Sequence, residues 1–328
     1  MLKKFRKYLF VTGLVTAVAT STPVQAQSAD NKFPDKPIRL LVGFAPGGGT
    51  DISARIIAPK MAELLGQSVI VENRSGANGN IASEALIRSA PDGYTILLAS
   101  IGALAINPHM PGGTTFNPLK DFTMISLGVT FPNVLVVNSA SSVKNLADYI
   151  ASGKKGKDVD VFYGSSGSGS TGHLAGELLN IRSGMSAQHV NYKGGGPAMT
   201  DLLGNNIQAI FASSPTAVPL VTTGKLRAIA VTSPKRVDSL PDIPTVAEQG
   251  FPDYEAMNWY AFVAPPKTPA GVVEKLNRAV VAALKDPATI ARLKNMGIYT
   301  DPSTPQEMYD YVQKQYDIWG KVVSQVKF

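Results

Sequence analysis

The 328-residue chain carries 31 Lys and Arg against 24 Asp and Glu, 44% hydrophobic side chains, three histidines and no cysteine. The lack of cysteine excludes disulfides, a thiol nucleophile, Cys-ligated zinc and iron–sulfur clusters, so stability has to come from a hydrophobic core. His109, His173 and His189 are far apart with no i,i+4 pair, which argues against a histidine-rich metal site.

The chain opens with Lys3, Lys4, Arg6 and Lys7, an apolar run from Tyr8 to Ala19, and Val24-Gln25-Ala26. That order of parts predicts a secretory signal peptide over residues 1–26. The apolar run is about a dozen residues, short of the roughly 20 that span a bilayer. No cysteine follows it to carry a lipid anchor. Loss of the signal lowers the formal charge from +7 to +3, a weak field that gives no reason to expect nucleic acid as a partner. The rest of the chain has no apolar stretch long enough for a membrane span and is too long for one core, so a soluble two-domain protein is expected.

Strand-like and helix-like segments then alternate. Ile38-Arg39-Leu40-Leu41-Val42 is a short buried strand, Asp51 to Leu65 a helix, and Val69 to Glu72 a second strand. Pro59 predicts a kink or break in that helix. A helix from Gly79 to Ser89 and a strand from Tyr94 to Ala99 complete a β-α-β-α-β order, which builds parallel sheets covered by helices. Ile125 to Asn138 is strand-rich with Pro132 interrupting it, Asn145 to Ala151 is helical, and Val159 to Tyr163 is a strand. A helix starts near Thr171, with Leu174, Leu178 and Ile181 on one side. His189 to Tyr192 is a strand, followed by a helix to Leu203. Strands at Ile207 to Ala212 and Leu226 to Thr232 surround a short helix, and Val246-Ala247-Glu248 is a helical turn. After a strand at Trp259 to Val263, helices at Pro269–Leu284, Ala288–Met296 and Pro305–Val323 finish the chain. Thr304-Pro305-Gln306-Glu307 is a capping box. This helical block has no sheet of its own and must pack on the first one. A discontinuous first domain, 27–131 with 253–328, is therefore expected around a second domain, 132–252.

Three strand-to-helix junctions are glycine-rich: Gly43 to Thr50, Gly164 to Thr171, and Lys193 to Pro197. Glycine permits tight turns and close approach to a ligand. The helix start that follows offers free N–H donors, which suit a carboxylate, phosphate or sulfate. Two nucleotide motifs are approached and missed. Gly43-x-x-x-x-Gly48-Gly49-Thr50 has P-loop spacing, but Gly49 stands where lysine is needed. Gly167-x-Gly169-x-x-Gly172 lacks the acid about 20 residues on that a dinucleotide fold requires. A secreted serine hydrolase on Ser166 or Ser170, with His173 nearby, is the competing enzyme reading, although the G-x-S-x-G elbow is absent. Asp51 reads equally as a first-turn acid or as a ligand acceptor.

The segment from Phe33-Pro34-Asp35-Lys36-Pro37 to Gly47-Gly48-Gly49-Thr50-Asp51 resembles the opening of the Bug, or TctC, receptors. These are the extracytoplasmic solute receptors of tripartite tricarboxylate transporters. The resemblance continues through Val71-Glu72-Asn73-Arg74, Ala90-Pro91-Asp92-Gly93-Tyr94, Gly172-His173-Leu174-Ala175-Gly176-Glu177, Tyr192-Lys193-Gly194-Gly195-Gly196-Pro197 and Leu240-Pro241-Asp242-Ile243-Pro244. It implies an α/β, two-lobed periplasmic binding protein of the type II kind, each lobe a mainly parallel sheet flanked by helices. The ligand would lie in the cleft between the lobes. It also implies a monomer without cofactor or metal that binds and does not catalyse. Its partners would be a small organic carboxylate and two integral membrane permease subunits; a membrane signalling partner is the alternative to the permease. Carried onto this chain, the ligand residues of the first loop are Phe44, Ala45, Gly47, Gly48, Thr50 and Asp51. The opposing lobe supplies Ser165, Ser166, Gly167, Ser170, Thr171 and Lys193, with Ser100 and Asn133 as further candidates. One departure stands out: Phe211 is followed by Ala212-Ser213-Ser214 where many relatives carry Asp. That argues against an amino acid and for a plain carboxylate, a dicarboxylate or an aromatic acid. Phe44, Trp259 and Tyr260 are candidates to flank an aromatic ring, with core packing the competing reading of Trp259.

Overall fold

The computed structural model describes residues 33–154 and 161–324. The predicted signal segment and the first residues of the predicted strand at 159–163 lie outside them. Strands β1 (Ile38–Val42), β2 (Val69–Asn73) and β3 (Thr95–Ser100) form the parallel set that the alternating order predicts, joined by helices α1 (Gly49–Leu65) and α2 (Asn80–Ile87). Strand β4 (Thr123–Asn138) then leaves this sheet and enters a second one. There β5 (Phe162–Ser165) lies parallel between β6 (Gln188–Asn191) and β7 (Ala209–Ser213), and β8 (Leu226–Val231) pairs with β4. The chain returns along β9 (Met257–Ala264), inserted between β3 and β4. The remaining helices are α3 (Leu146–Ser152), α4 (Thr171–Ser183), α5 (Gly195–Leu203), α6 (Ser214–Thr222), α7 (Ala270–Lys285), α8 (Pro287–Lys294) and α9 (Pro305–Val323). A short strand β10 (Tyr299–Thr300) also pairs with β4.

Both sheets are mixed, not mainly parallel. The βαβ units are parallel because each helix returns the chain to the same sheet end. The strands that carry the chain out of and back into the first sheet run against their neighbours: β9 is antiparallel to β3 and β4, and β4 is antiparallel to β7 and β8. Pro132 does not interrupt β4. Thr123 to Pro132 pairs with β9, whereas Asn133 to Asn138 pairs with β7 and β8. Proline, with no N–H to give, occupies the last position of the first ladder, where a missing donor breaks least. Pro59 does not break α1 either. Pro59 and Arg55 are both exposed, so water reaches the Arg55 carbonyl that Pro59 leaves unbonded.

Alternate residues of the first sheet bury on opposite faces. Ile38, Leu40, Val42, Ile96 and Leu98 pack with α1, α7 and α8, while Leu41, Leu97 and Ala99 pack with α2 and α9. Cover on both faces explains why these strands read as continuous apolar runs. The C-terminal helices thus lie on the first sheet, as expected. Leu174 is buried in α4, but Ile181 near its end is 64% exposed, because a helix of about 20 Å outruns the four-residue strands beneath it.

Candidate functional site

Helices α1, α5 and α6 start just after β1, β6 and β7, and their first turns meet between the sheets. Gly48, Gly49 and Thr50 of the α1 start, Gly195 of α5 and Ser213 before α6 line a small cavity of about 20 Å³, with Phe44, Asn133, Ser166, Asn258 and Tyr260. None of these three helices has a side-chain N-cap, and neither do α2 and α7. By contrast, α3, α4, α8 and α9 are capped by Asn145, Ser170, Asp286 and Thr304. A helix start carries orphan N–H donors and about half a positive charge. Three uncapped starts around one cavity therefore favour an anion without a cationic side chain. No aspartate or glutamate among the described residues lines the cavity.

The loops that form it are in contact. The Ala45 N–H donates to the Lys193 carbonyl at 3.1 Å. A Cβ at Gly49 would stand 2.7 Å from Ser213 Oγ, and one at Gly196 would stand 2.7 Å from the Pro46 carbonyl oxygen. Glycine here serves the approach of one loop to another. The small cavity has room for about one water. A second cavity of about 390 Å³ adjoins it, and Phe44 and Ser166 line both.

Of the predicted site residues, Phe44, Gly48, Thr50, Asn133 and Ser166 surround the small cavity, and Gly167 and Lys193 join Phe44 and Ser166 around the larger one. The others stand behind the cleft. Asp51 accepts from the Gly47 N–H at 3.0 Å and from Asn73 Nδ2 at 2.9 Å, and pairs with Arg55 at 2.9 Å. It lines neither cavity and acts as the first-turn acid that also holds the loop. Ala45 contributes backbone to the loop contact. Ser100 is buried beside the Ala103 N–H. Thr171 donates to Asn258 Oδ1, Asn258 Nδ2 donates to Asn133 Oδ1 at 3.0 Å, and Asn133 Nδ2 donates to the Ala256 carbonyl at 3.1 Å. This buried chain ties α4 to the start of β9 and to β4 where β4 changes sheet. Burial holds the Tyr260 phenol above its ordinary pKa, against its hydrogen bond with Thr50, so it stays neutral. Trp259 packs in the core edge-on to Tyr311 and lines neither cavity.

Ser165 and Ser170 belong to a buried network. Ser165 Oγ lies 2.7 Å from His189 Nε2, accepts from Ser170 Oγ at 3.1 Å and from the Gly167 N–H at 3.2 Å, and donates to the Gly167 carbonyl at 3.0 Å. Ser170 also caps α4. The Ser165–His189 pair has the distance of a nucleophile and its base but not their chemistry. Ser165 is wholly buried. Burial, then the neighbouring His173, pushes His189 down to about 3, which makes it a poor base. The nearby Glu177 carboxylate accepts from Tyr163. No group of metal-ligating side chains occurs among the described residues.

Sequence reasoning offered Tyr260 only as a flank for an aromatic ring and passed over Asn258 and Ser213 as site residues, since they lie on a strand and a strand end that read as core. It also passed over Asn78, Asn80 and Asn107, which line the larger cavity from irregular turns at Ala77–Gly79 and Asn107–His109. The Gly76-Ala77-Asn78-Gly79-Asn80 run was the available signal: its glycine and asparagine content marks a left-handed turn, and Ala77 and Asn78 have φ of 46° and 49°.

A family model described as tripartite tricarboxylate transporter family receptor, TctC, matches residues 53–328. The chain is 34% identical over 319 residues to Protein BugT of Bordetella pertussis, covering 97% of this chain and 96% of that one. The structure of the periplasmic binding protein BugD superposes with a TM-score of 0.85 at 33% identity, over 89% of this chain and 98% of that one. An R. palustris protein solved with adipate gives a TM-score of 0.85 at 35% identity, over 89% of this chain and 97% of that one.

Proposed function

Because the chain belongs to the TctC family of tripartite tricarboxylate transporter receptors, we propose that it binds a small carboxylate between two lobes and hands it to a transporter. The two partners there would be integral membrane permease subunits. The observation that carries this reading is the meeting of three uncapped helix starts at an acid-free cavity between the sheets. One carboxylate would sit against the first-turn N–H groups of α1, α5 and α6. Thr50, Ser166 and Asn258 would hydrogen-bond it, and Tyr260 would close the apolar side. The adipate carried by the R. palustris relative is consistent with a carboxylate ligand. We place the lobes at 33–131 with 253–324, and at 132–252, and the hinge where β4 changes sheet and the chain returns into β9. Delivery to the permease is intact release by a monomer in the periplasm, without turnover.

A thermal-shift screen of the mature protein, refolded to remove carried-over ligand, tests this. A carboxylate at about 100 times its Kd adds roughly 2.7 kcal/mol to stability, a shift of a few degrees. A response restricted to carboxylates, with the compound recovered unchanged, is the expected result. Silence from every carboxylate, or hydrolysis of an ester, would sink the receptor reading.

A further inference from the structure

We infer that ligand binding is coupled to proton loss at the stacked His173–His189 pair: the closed cleft needs both rings neutral, and acid favours the open, empty form. This rests on the receptor reading above and adds a regulator to the same cleft.

His173 stands in the first turn of α4 and His189 on β6, with ring centroids 4.0 Å apart and planes 28° apart. Both rings hold the loop from Ser165 to Ser170. The Gly169 N–H donates to His173 Nδ1 at 3.0 Å, which requires that nitrogen to be unprotonated. The neutral ring therefore carries its proton on Nε2, and an added proton has to go to Nδ1. His189 Nε2 lies 2.7 Å from Ser165 Oγ, which accepts from Ser170 Oγ and from the Gly167 N–H. Ser166, Gly167 and Ser168 of this loop line the larger cavity, and Ser166 lines the smaller one too. A proton on His173 Nδ1 would set N–H against N–H and push Gly169 off the helix, so the cleft wall would move with it. A second positive ring at 4.0 Å would add like-charge repulsion.

Few titratable groups surround the pair. Tyr163 of β5 lies tilted against His189, with Phe211 of β7 edge-on behind it. Glu177, one turn along α4, acts on His173 and accepts from Tyr163 Oη. Beyond the end of β6, Lys193 and the Tyr192 phenol, which donates to Asp201, belong to the wall of the larger cavity. The first sheet's side contributes Asn78, Asn107 and Met110, which do not titrate. A Cβ at Gly169 would stand 3.2 Å from Met110 Cε and 3.3 Å from Asn107 Oδ1, and one at Gly167 would stand 3.7 Å from Asn78 Oδ1. His109, on the same turn as Asn107, packs on Tyr316 of α9 instead. The Gly169–His173 bond is thus covered from across the cleft. In the receptor reading, opening would lift Asn78, Asn107 and Met110 off the loop and admit water to that bond. Burial is what lowers the pKa of His173, with Glu177 opposing, so the open form would take up a proton that the closed form excludes. Binding would then release that proton, and by linkage acid would weaken binding.

The test is calorimetric titration with succinate, malate and adipate between about pH 7.5 and about pH 5, in two buffers of different ionisation enthalpy, which reads both affinity and protons released. His173→Asn keeps an acceptor near the Nδ1 position and does not titrate. Each acid protonates alike in every titration, so the difference between parent and variant isolates the histidine. Parent affinity should fall about tenfold more than that of His173→Asn over this range, with up to one more proton released on binding at the acid end. Glu177→Gln keeps an acceptor for Tyr163 but removes the acid that favours a charged His173, and should move the fall to lower pH. Circular dichroism and a melt confirm that each variant is folded; if His173→Asn is not, the direction of the Glu177→Gln shift decides. Equal loss of affinity in parent and variants, with equal proton counts, would overturn the coupling while leaving the receptor standing. If none of the three acids binds the parent at about pH 7.5, the receptor reading falls and the coupling with it.

Discussion

His173 and His189 stack with ring centroids 4.0 Å apart, between β6 and the first turn of α4. Tyr163 of β5 and Ser165 lie against His189, the Gly169 N–H donates to His173 Nδ1 at 3.0 Å, and Glu177 of α4 is the acid that faces the pair. Burial lowers the pKa of His173, with Glu177 opposing, and burial then His173 lowers His189 to about 3. Unfolded histidine titrates at about 6.5. The unfolded chain therefore binds more protons between about pH 6.5 and pH 3, and stability falls as pH drops through that window. Above it the contribution is complete. With discount for partial exposure, the loss between about pH 6.5 and 5 is on the order of 1–2 kcal/mol. Urea unfolding at the two pH values measures it. His189→Gln should lose less than the parent over the same interval, and an equal loss would remove His189 as the cause.

Two side-chain helix caps differ in what else they reach. Thr304 caps α9 through a complete capping box, and Ser170 caps α4 while bonding Ser165 in the loop that carries Ser166. Thr304→Ala and Ser170→Ala should each cost about 1 kcal/mol in chemical denaturation. Ligand affinity should drop for Ser170→Ala alone; equal affinity in both variants would mean that the α4 cap does not hold the site. The Thr304 box was legible because its signal is local and four residues long. Pro59 and Pro132 misled because the rule is local while the outcome is not: solvent at Arg55 and the change of ladder at Asn133 decide it. The same holds for the site. Glycine-rich strand ends announced the α1 and α5 starts, but Asn258 and Tyr260 enter the cleft only because β9 returns beside β4, and pairing across that distance leaves no pattern in the chain. Ser165 had the sequence of a cleft residue and the position of a buried one, since a one-residue step along the loop exchanges the cleft for the interior.

At the scale of the molecule, β4 carries the chain from the first sheet to the second and β9 receives it back into the first, and in the proposed hinged receptor the contact of Ala45 with Lys193 and of Pro46 with Gly196 is what closure of the cleft would add. In that reading the loop contacts would shift the balance of open and closed forms without being needed for either lobe to fold. Apparent affinity scales with the fraction of the binding-competent form. Gly196→Ala sets a Cβ 2.7 Å from the Pro46 carbonyl oxygen and should weaken binding by closing the cleft less completely, about tenfold if the closed fraction falls by that factor. Gly196 lies in the first turn of α5, where alanine is about 1 kcal/mol better than glycine for the helix. Unliganded stability should therefore hold or rise while affinity falls, a combination that general damage to the fold does not produce. Small-angle scattering with saturating ligand should show less compaction in the variant than in the parent. Unchanged affinity together with full compaction would mean that the two loops meet without governing closure, and the seat of selectivity would then lie wholly in the cavity walls.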